Sequence, residues 1–233
     1  HFVTIHTDDG LVGLGQSACW GLPEAVDALM DGARNYLRGQ DPSQTERHWH
    51  YLYRRSPFRG SVLSGLVSAV DLALWDLKAQ QHEVPLYELL GGRYRDSVRL
   101  CLLLKGSSHE ELVDAAIAAR DEGYTAIKVD PLLPGYQNQS LQKLTNECLQ
   151  LLRDVQSAVG TDVDLVVELH RKLSPLTAAH LIEQIGSLNP LFIEDPIQID
   201  SISSQAALAR NTRVPLACGE RLHTIWEFKE LLE

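Results

Sequence analysis

Three glutamates in the second half of the chain stand at an even interval, and each ends a short apolar run. Glu168 closes Asp164-Leu-Val-Val-Glu168, Glu194 closes Leu191-Phe-Ile-Glu194 and Glu220 closes Pro215-Leu-Ala-Cys-Gly-Glu220, with 26 residues from each to the next. Runs of this kind read as strands buried on both faces. One carboxylate at the carboxyl end of each of three parallel strands puts three acids on one rim, the rim on which closed barrels build their sites. Converging anions repel one another unless a cation lies between them. An all-oxygen donor set selects a hard divalent ion, Mg²⁺. Such an ion can hold a substrate carboxylate and neutralise the second negative charge that develops when the α-proton leaves, giving an enediolate.

That chemistry needs a base and, for elimination, an acid. Residues two apart on a strand point to the same side. Lys128 and Asp130 therefore share a face at the end of one apolar run, and His170 shares a cleft with Glu168. A histidine beside a metal-bound substrate hydroxyl is a general-acid candidate, and the plain alternative is a loop histidine at the rim. His223, three residues past Glu220, falls on the same rim.

The elements that must carry these residues follow a simple order. Phe2–His6 and Leu11–Gly15 flank Asp9-Gly10 and read as a β-hairpin. Pro23 opens a helix to about Leu37, and a second runs from Asp41-Pro42 to about Tyr53. Ser61–Gln80 carries apolar residues over most of a helical circumference and should lie between layers, with Asp71 and Asp76 in structural roles. The Gly91-Gly92 turn marks a boundary, which gives residues 1–91 as an α+β domain and 92–233 as a (β/α) domain. In the latter, apolar runs at Val98–Leu104, Ala126–Asp130, Val163–Glu168, Leu191–Glu194 and Pro215–Gly219 alternate with helical segments at Glu110–Glu122, Leu141–Val159, Ser174–Ile185, Ser201–Arg210 and Ile225–Glu233. This is the signature of an α/β protein with parallel strands. Five βα units fall short of an eight-stranded barrel, and the chain begins without Met inside a strand-like run. An incomplete TIM-type barrel, with further chain on either side, is therefore the expectation.

Composition limits the partners. The chain has 233 residues, with 31 acidic against 21 basic side chains and a net charge of −10. No basic run offers itself to nucleic acid, and no apolar stretch is long enough to span a membrane. The four cysteines have no CxxC spacing and read as free thiols of a reducing cytoplasm.

The segments Ala69-Val-Asp-Leu-Ala-Leu-Trp-Asp-Leu-Lys78 and Pro85-Leu-Tyr-Glu-Leu-Leu-Gly-Gly92 resemble the signature of the enolase superfamily, mandelate racemase subgroup. Glu168-Leu-His-Arg-Lys-Leu-Ser-Pro175, Phe192-Ile-Glu-Asp-Pro196 and Gly219-Glu-Arg-Leu222 resemble its acid-sugar dehydratases of galactonate and mannonate type. The resemblance implies an N-terminal capping domain over a modified barrel and Mg²⁺ held by Glu168, Glu194 and Glu220. It also implies loss of water from a sugar acid to give a 2-keto-3-deoxy acid, with His170 protonating the departing hydroxyl. Lys128 and Tyr136 fall roughly where an assisting arginine and tyrosine stand in the mannonate type. A loop near Cys19–Leu22, with Trp20, would close on substrate, and Asp130 and His223 would line its site. The resemblance also implies a homo-oligomer, a dimer or an octamer.

Two other readings stand beside this one, a racemase or epimerase using the same enediolate and a non-catalytic homologue, and three departures bear on them. The first ligand is Glu168 where these dehydratases usually carry Asp. Asp130 stands where racemases carry a second lysine, which counts against the racemase reading. The later strand that supplies a histidine base in galactonate-type enzymes has no counterpart in the chain.

Overall fold

The computed structural model describes every residue except Ala18, Trp20, Ile199 and Asp200, so the Trp20 assignment lies outside the described residues. The chain forms two compact units, His1–Asp96 and Ser97–Glu233.

In the first unit, strands β1 (Phe2–His6) and β2 (Val12–Gln16) pair antiparallel, from Phe2 opposite Gln16 to His6 opposite Val12. Helices α1 (Pro23–Leu37), α2 (Thr45–Arg54) and α3 (Ser61–Gln81) follow, with a short α4 (Leu86–Leu89). The hairpin lies against α3 so closely that a Cβ on Gly13 would stand 2.1 Å from the Ala73 carbonyl oxygen, and one on Gly15 only 1.8 Å from that of Ala69. The buried face of β2 is thus made of glycine, while Leu14 is 52% exposed on the other side. Alternation of apolar residues predicts the strand, but close backbone approach decides which face turns inward. Leu66, Val70 and Leu74 of α3 form the unit's core with Ala33 and Leu52. Trp49 stacks on Tyr53, and Tyr36 on Tyr51, so these aromatics pack the helices. The second helix begins at Thr45 rather than Asp41, because the Asp41 carboxylate accepts from the Ser43 N–H and holds a turn ahead of it.

The second unit is a five-stranded parallel sheet of order β3-β4-β5-β6-β7. Its elements run β3 (Leu102–Leu103), α5 (His109–Asp121), β4 (Ala126–Val129), α6 (Leu141–Val159), β5 (Asp164–Glu168), α7 (Pro175–Ile185), β6 (Phe192–Glu194), α8 (Ile202–Arg210), β7 (Leu216–Ala217) and α9 (Ile225–Leu232). Parallel strands in chain order, each followed by a helix, are the arrangement of part of a TIM-type barrel. Ile127, Val129, Leu165, Val167 and Ile193 meet Leu152, Val155, Leu181 and Ile185 of the helices in one apolar core. Helix starts are fixed by hydroxyls: Ser108, Ser140, Ser174, Ser201 and Thr224 each accept a backbone N–H from the first turn.

Two expected strands are shorter than the apolar runs that predicted them. Val98 and Leu100 are exposed, and pairing of the first strand begins only at Leu102 opposite Ile127. The last strand stops at Ala217, because Gly219 turns the chain at a φ of 140°. Glu220 therefore sits in a turn beyond the strand and not at its end. Among the described residues no helix is long and apolar enough to cross a membrane, and all four cysteines are unpaired.

Candidate active site

Strand register brings the first two glutamates together. Glu168 and Glu194 are direct partners across β5 and β6, and Glu194 is opposite Ala217 on β7. Like charges side by side are unfavourable, and a cation from the neighbouring strand relieves them. Lys128 of β4, in register with Val166, places its ammonium 3.1 Å from Glu168 Oε2 and 2.8 Å from Glu194 Oε2. Glu168 is 2% exposed. Its burial raises the carboxyl above the ordinary range, and the pull of the His170 N–H and of Lys128 does not offset this. Burial works to lower the Lys128 pKa, yet its bonds to Glu194 and Glu168 overcome it and leave the ammonium above its ordinary value.

The loop after β5 is tightly wound. His170 and Arg171 take left-handed φ values of 46° and 61°, and Asp195, just past β6, takes 43°. Such angles cost a non-glycine residue free energy and need local bonds to hold them. The His170 N–H donates to Glu168 Oε1 at 2.8 Å, the Leu169 N–H to the Glu194 carbonyl at 3.0 Å and the Arg171 N–H to the Asp195 carbonyl at 2.6 Å. The loop after β5 is thereby tied to β6 and the residue following it.

These bonds aim three side chains. His170 Nδ1 lies 2.7 Å from Asp130 Oδ2, the same oxygen that accepts from Lys172 Nζ, while Asp130 Oδ1 accepts from the Leu132 N–H. A carboxylate so surrounded by donors accepts from the imidazole as well, which puts the ring proton on Nδ1 and leaves Nε2 without it. Asp130 thus holds His170, where the sequence alone suggests a substrate contact. Arg171 bridges buried Asp195, at 2.9 Å, and Glu220. Burial raises the Asp195 carboxyl even with Arg171 against it.

The remaining expected residues fall at the edges. Tyr136 lies in a 3₁₀ turn after β4, with Lys172 Nζ 5.8 Å from its ring centre, so it borders the Asp130 group. His223 is exposed, and its backbone N–H joins the Thr224–Glu227 capping box that starts α9. Sequence reasoning missed Arg171, Lys172 and Asp195. A usable signal was present, since both basic residues directly follow His170 and Asp195 directly follows Glu194.

The donor set suits a hard cation in kind, because Glu168, Glu194 and Glu220 offer only carboxylate oxygens and face basic side chains already. In position it is two plus one: Glu168 and Glu194 share Lys128, and Glu220 faces Arg171. Among the described residues, no three His, Cys, Asp or Glu side chains converge as a ready metal cage. A groove of about 830 Å³ beside Pro190 and Pro215 lies at the opposite ends of β6 and β7 and holds none of these groups.

Residues 111–233 match the family described as enolase C-terminal domain-like, and residues 1–91 match the mandelate racemase / muconate lactonizing enzyme N-terminal domain. A D-galactonate dehydratase of Verminephrobacter eiseniae is 33% identical over 235 residues, which cover 99% of this chain and 60% of that protein. A crystal structure of an enolase superfamily member from Salmonella Typhimurium superposes with a TM-score of 0.90 at 27% identity, covering 99% of this chain and 66% of that one. An enolase from Pantoea ananatis with bound D-gluconate and Mg gives a TM-score of 0.87 at 26% identity, covering 99% and 64%. The chain spans about 60% of the length of the curated relatives it matches.

Proposed function

Since the chain belongs to the mandelate racemase / muconate lactonizing enzyme family, with an enolase C-terminal domain-like second half, we propose that it serves as a metal-dependent dehydratase of a sugar acid. Relatives named D-galactonate dehydratase and a relative with bound D-gluconate and Mg support this class of substrate and ion. The observation that carries the reading is the position of His170. It follows buried Glu168 by two residues and is held through Nδ1 by Asp130.

In this reading Glu168, Glu194 and Glu220 would hold Mg²⁺. The ion, when bound, supplies a charge that orients the substrate carboxylate and steadies the enediolate. The chain's own residues do the rest. Lys128, beside the two carboxylates, adds a positive charge for the developing negative charge and is not a base. With its own proton held on Nδ1, His170 takes the α-proton on Nε2 and passes it to the departing 3-hydroxyl, so that hydroxyl leaves as water. Asp130 accepts the Nδ1 proton throughout and fixes the orientation of the ring. Lys172 holds Asp130 in place, and Tyr136 borders the group. Loss of the α-proton and of water leaves an enol, which tautomerises to the 2-keto-3-deoxy acid. The free thiols fit a cytoplasmic setting, and a homo-oligomer is the expected assembly.

The test is incubation of the purified protein with a panel of sugar acids and Mg²⁺, with assay for 2-keto-3-deoxy products and an EDTA control. EDTA-sensitive product from any acid supports the reading. Epimerisation without loss of water replaces it with the racemase reading. A second reading, a non-catalytic homologue, draws on one observation, the engagement of Glu220 by Arg171 away from the other two glutamates. Absence of both turnover and Mg²⁺ binding is its signature.

A further inference from the structure

Glu168 has both carboxylate oxygens engaged. Oε1 accepts from the His170 N–H at 2.8 Å, and Oε2 lies 3.1 Å from the Lys128 ammonium. Glu194 presents its own Oε2 to the same ammonium at 2.8 Å. Lys128 thus occupies the gap between two in-register acids on adjacent strands. In formal charge Glu168, Glu194, Glu220, Asp195 and Asp130 stand against Lys128, Arg171 and Lys172, an excess of two negative charges.

We infer that Lys128 is the built-in counter-cation of the metal-free rim and competes with the divalent ion for the Oε2 pair of Glu168 and Glu194. The inference rests on the metal-dependent reading above. A cation approaching these oxygens meets an ammonium already in contact with them, and like charges at that distance repel strongly in a half-buried site. The lysine therefore stabilises the empty rim and weakens the hold on the ion. A rim without it would repel itself when empty and grip the ion more tightly when filled. Lys128 sets where metal binding falls between a permanent structural ion and an exchangeable one.

Calorimetric Mg²⁺ titration of the wild type, Lys128→Met and Lys128→Arg tests this, with circular dichroism to verify folding and thermal midpoints measured in EDTA. Lys128→Met should bind Mg²⁺ about tenfold more tightly or better and melt lower than the wild type in EDTA. Lys128→Arg, which keeps the charge, should stay near the wild type in affinity. If Lys128→Met fails to fold, Lys128→Gln takes its place with the same expectation. An Mg²⁺ affinity unchanged or weakened in the neutral variant overturns the inference. Absence of Mg²⁺ binding in every form overturns it together with the metal reading. Tightened binding in the neutral variant with no sugar acid turned over by the wild type leaves the inference standing and removes the dehydratase reading alone.

Discussion

Asp76 in α3 accepts the Leu14 N–H at 2.8 Å and the Gln80 amide at 3.1 Å, whereas Glu168 and Glu194 at the strand ends share the ammonium of Lys128. Both regions set acids against hydrogen-bond donors, but they satisfy them differently. In the N-terminal unit the acid's side chain ties the β2 backbone to helix α3, so its work ends with the fold. On the rim the acids are matched mainly by side-chain cations, which can exchange for a metal or a substrate. Acids balanced by exchangeable charges are the ones to suspect of chemistry.

The contrast can be broken from either side. The largest expected effect is at the rim. Glu194→Gln removes one of the paired carboxylates and should drop Mg²⁺-dependent dehydration to background, a loss of about a thousandfold or more, while the thermal midpoint stays within a few degrees. Steady-state assays beside thermal melts check this. Retained activity would place the ion elsewhere.

Gly15→Ala attacks the other region. Its Cβ would meet the Ala69 carbonyl at 1.8 Å, and neither backbone can yield cheaply. A loss of about 3 kcal/mol is expected, read from the urea midpoint. A neutral result would mean that the hairpin is free to lift from α3.

Asp71 gives the smallest effect, and it depends on pH. Burial, then the charge of Glu46, raises its pKa to about 6 from an ordinary value of 3.8. A raised acid binds its proton better in the folded chain, so its contribution to stability is whole below about pH 4 and is lost as pH rises through about 6. Asp71→Asn should therefore stabilise the protein by about 1–2 kcal/mol at pH 7.5, discounted because the site is only half-buried. It should gain nothing at pH 4. Denaturant melts at both values check the sign.

Much of this architecture is legible from local chemistry. The bounds of α1 and α6 follow from Pro23 at the start of one and from Ser140 and Gly160 around the other. Glu168 and Glu194 fall on one rim because a parallel sheet with regular βα units leaves them no other place. Glu220 is different: its spacing matches, but Gly219 turns the chain before the strand reaches it. Spacing carries period and not backbone direction. The left-handed turns at His170, Arg171 and Asp195 are invisible for a related reason, since they are imposed by bonds between the loop and β6 that form only in the folded unit. Asp130 is expected from the sequence to line the substrate site; its partners in the fold, His170 and Lys172, lie 40 and 42 residues away, a separation that strand periodicity does not bridge.

The account turns on His170 as the group that protonates the leaving hydroxyl, and His170→Asn tests it most directly. Turnover of the responsive sugar acid and Mg²⁺ affinity should be measured on the same preparation. The predicted result is a fall in turnover of about 10²–10⁴-fold with Mg²⁺ affinity within about twofold of the wild type. Dehydration at the wild-type rate by His170→Asn would contradict the account.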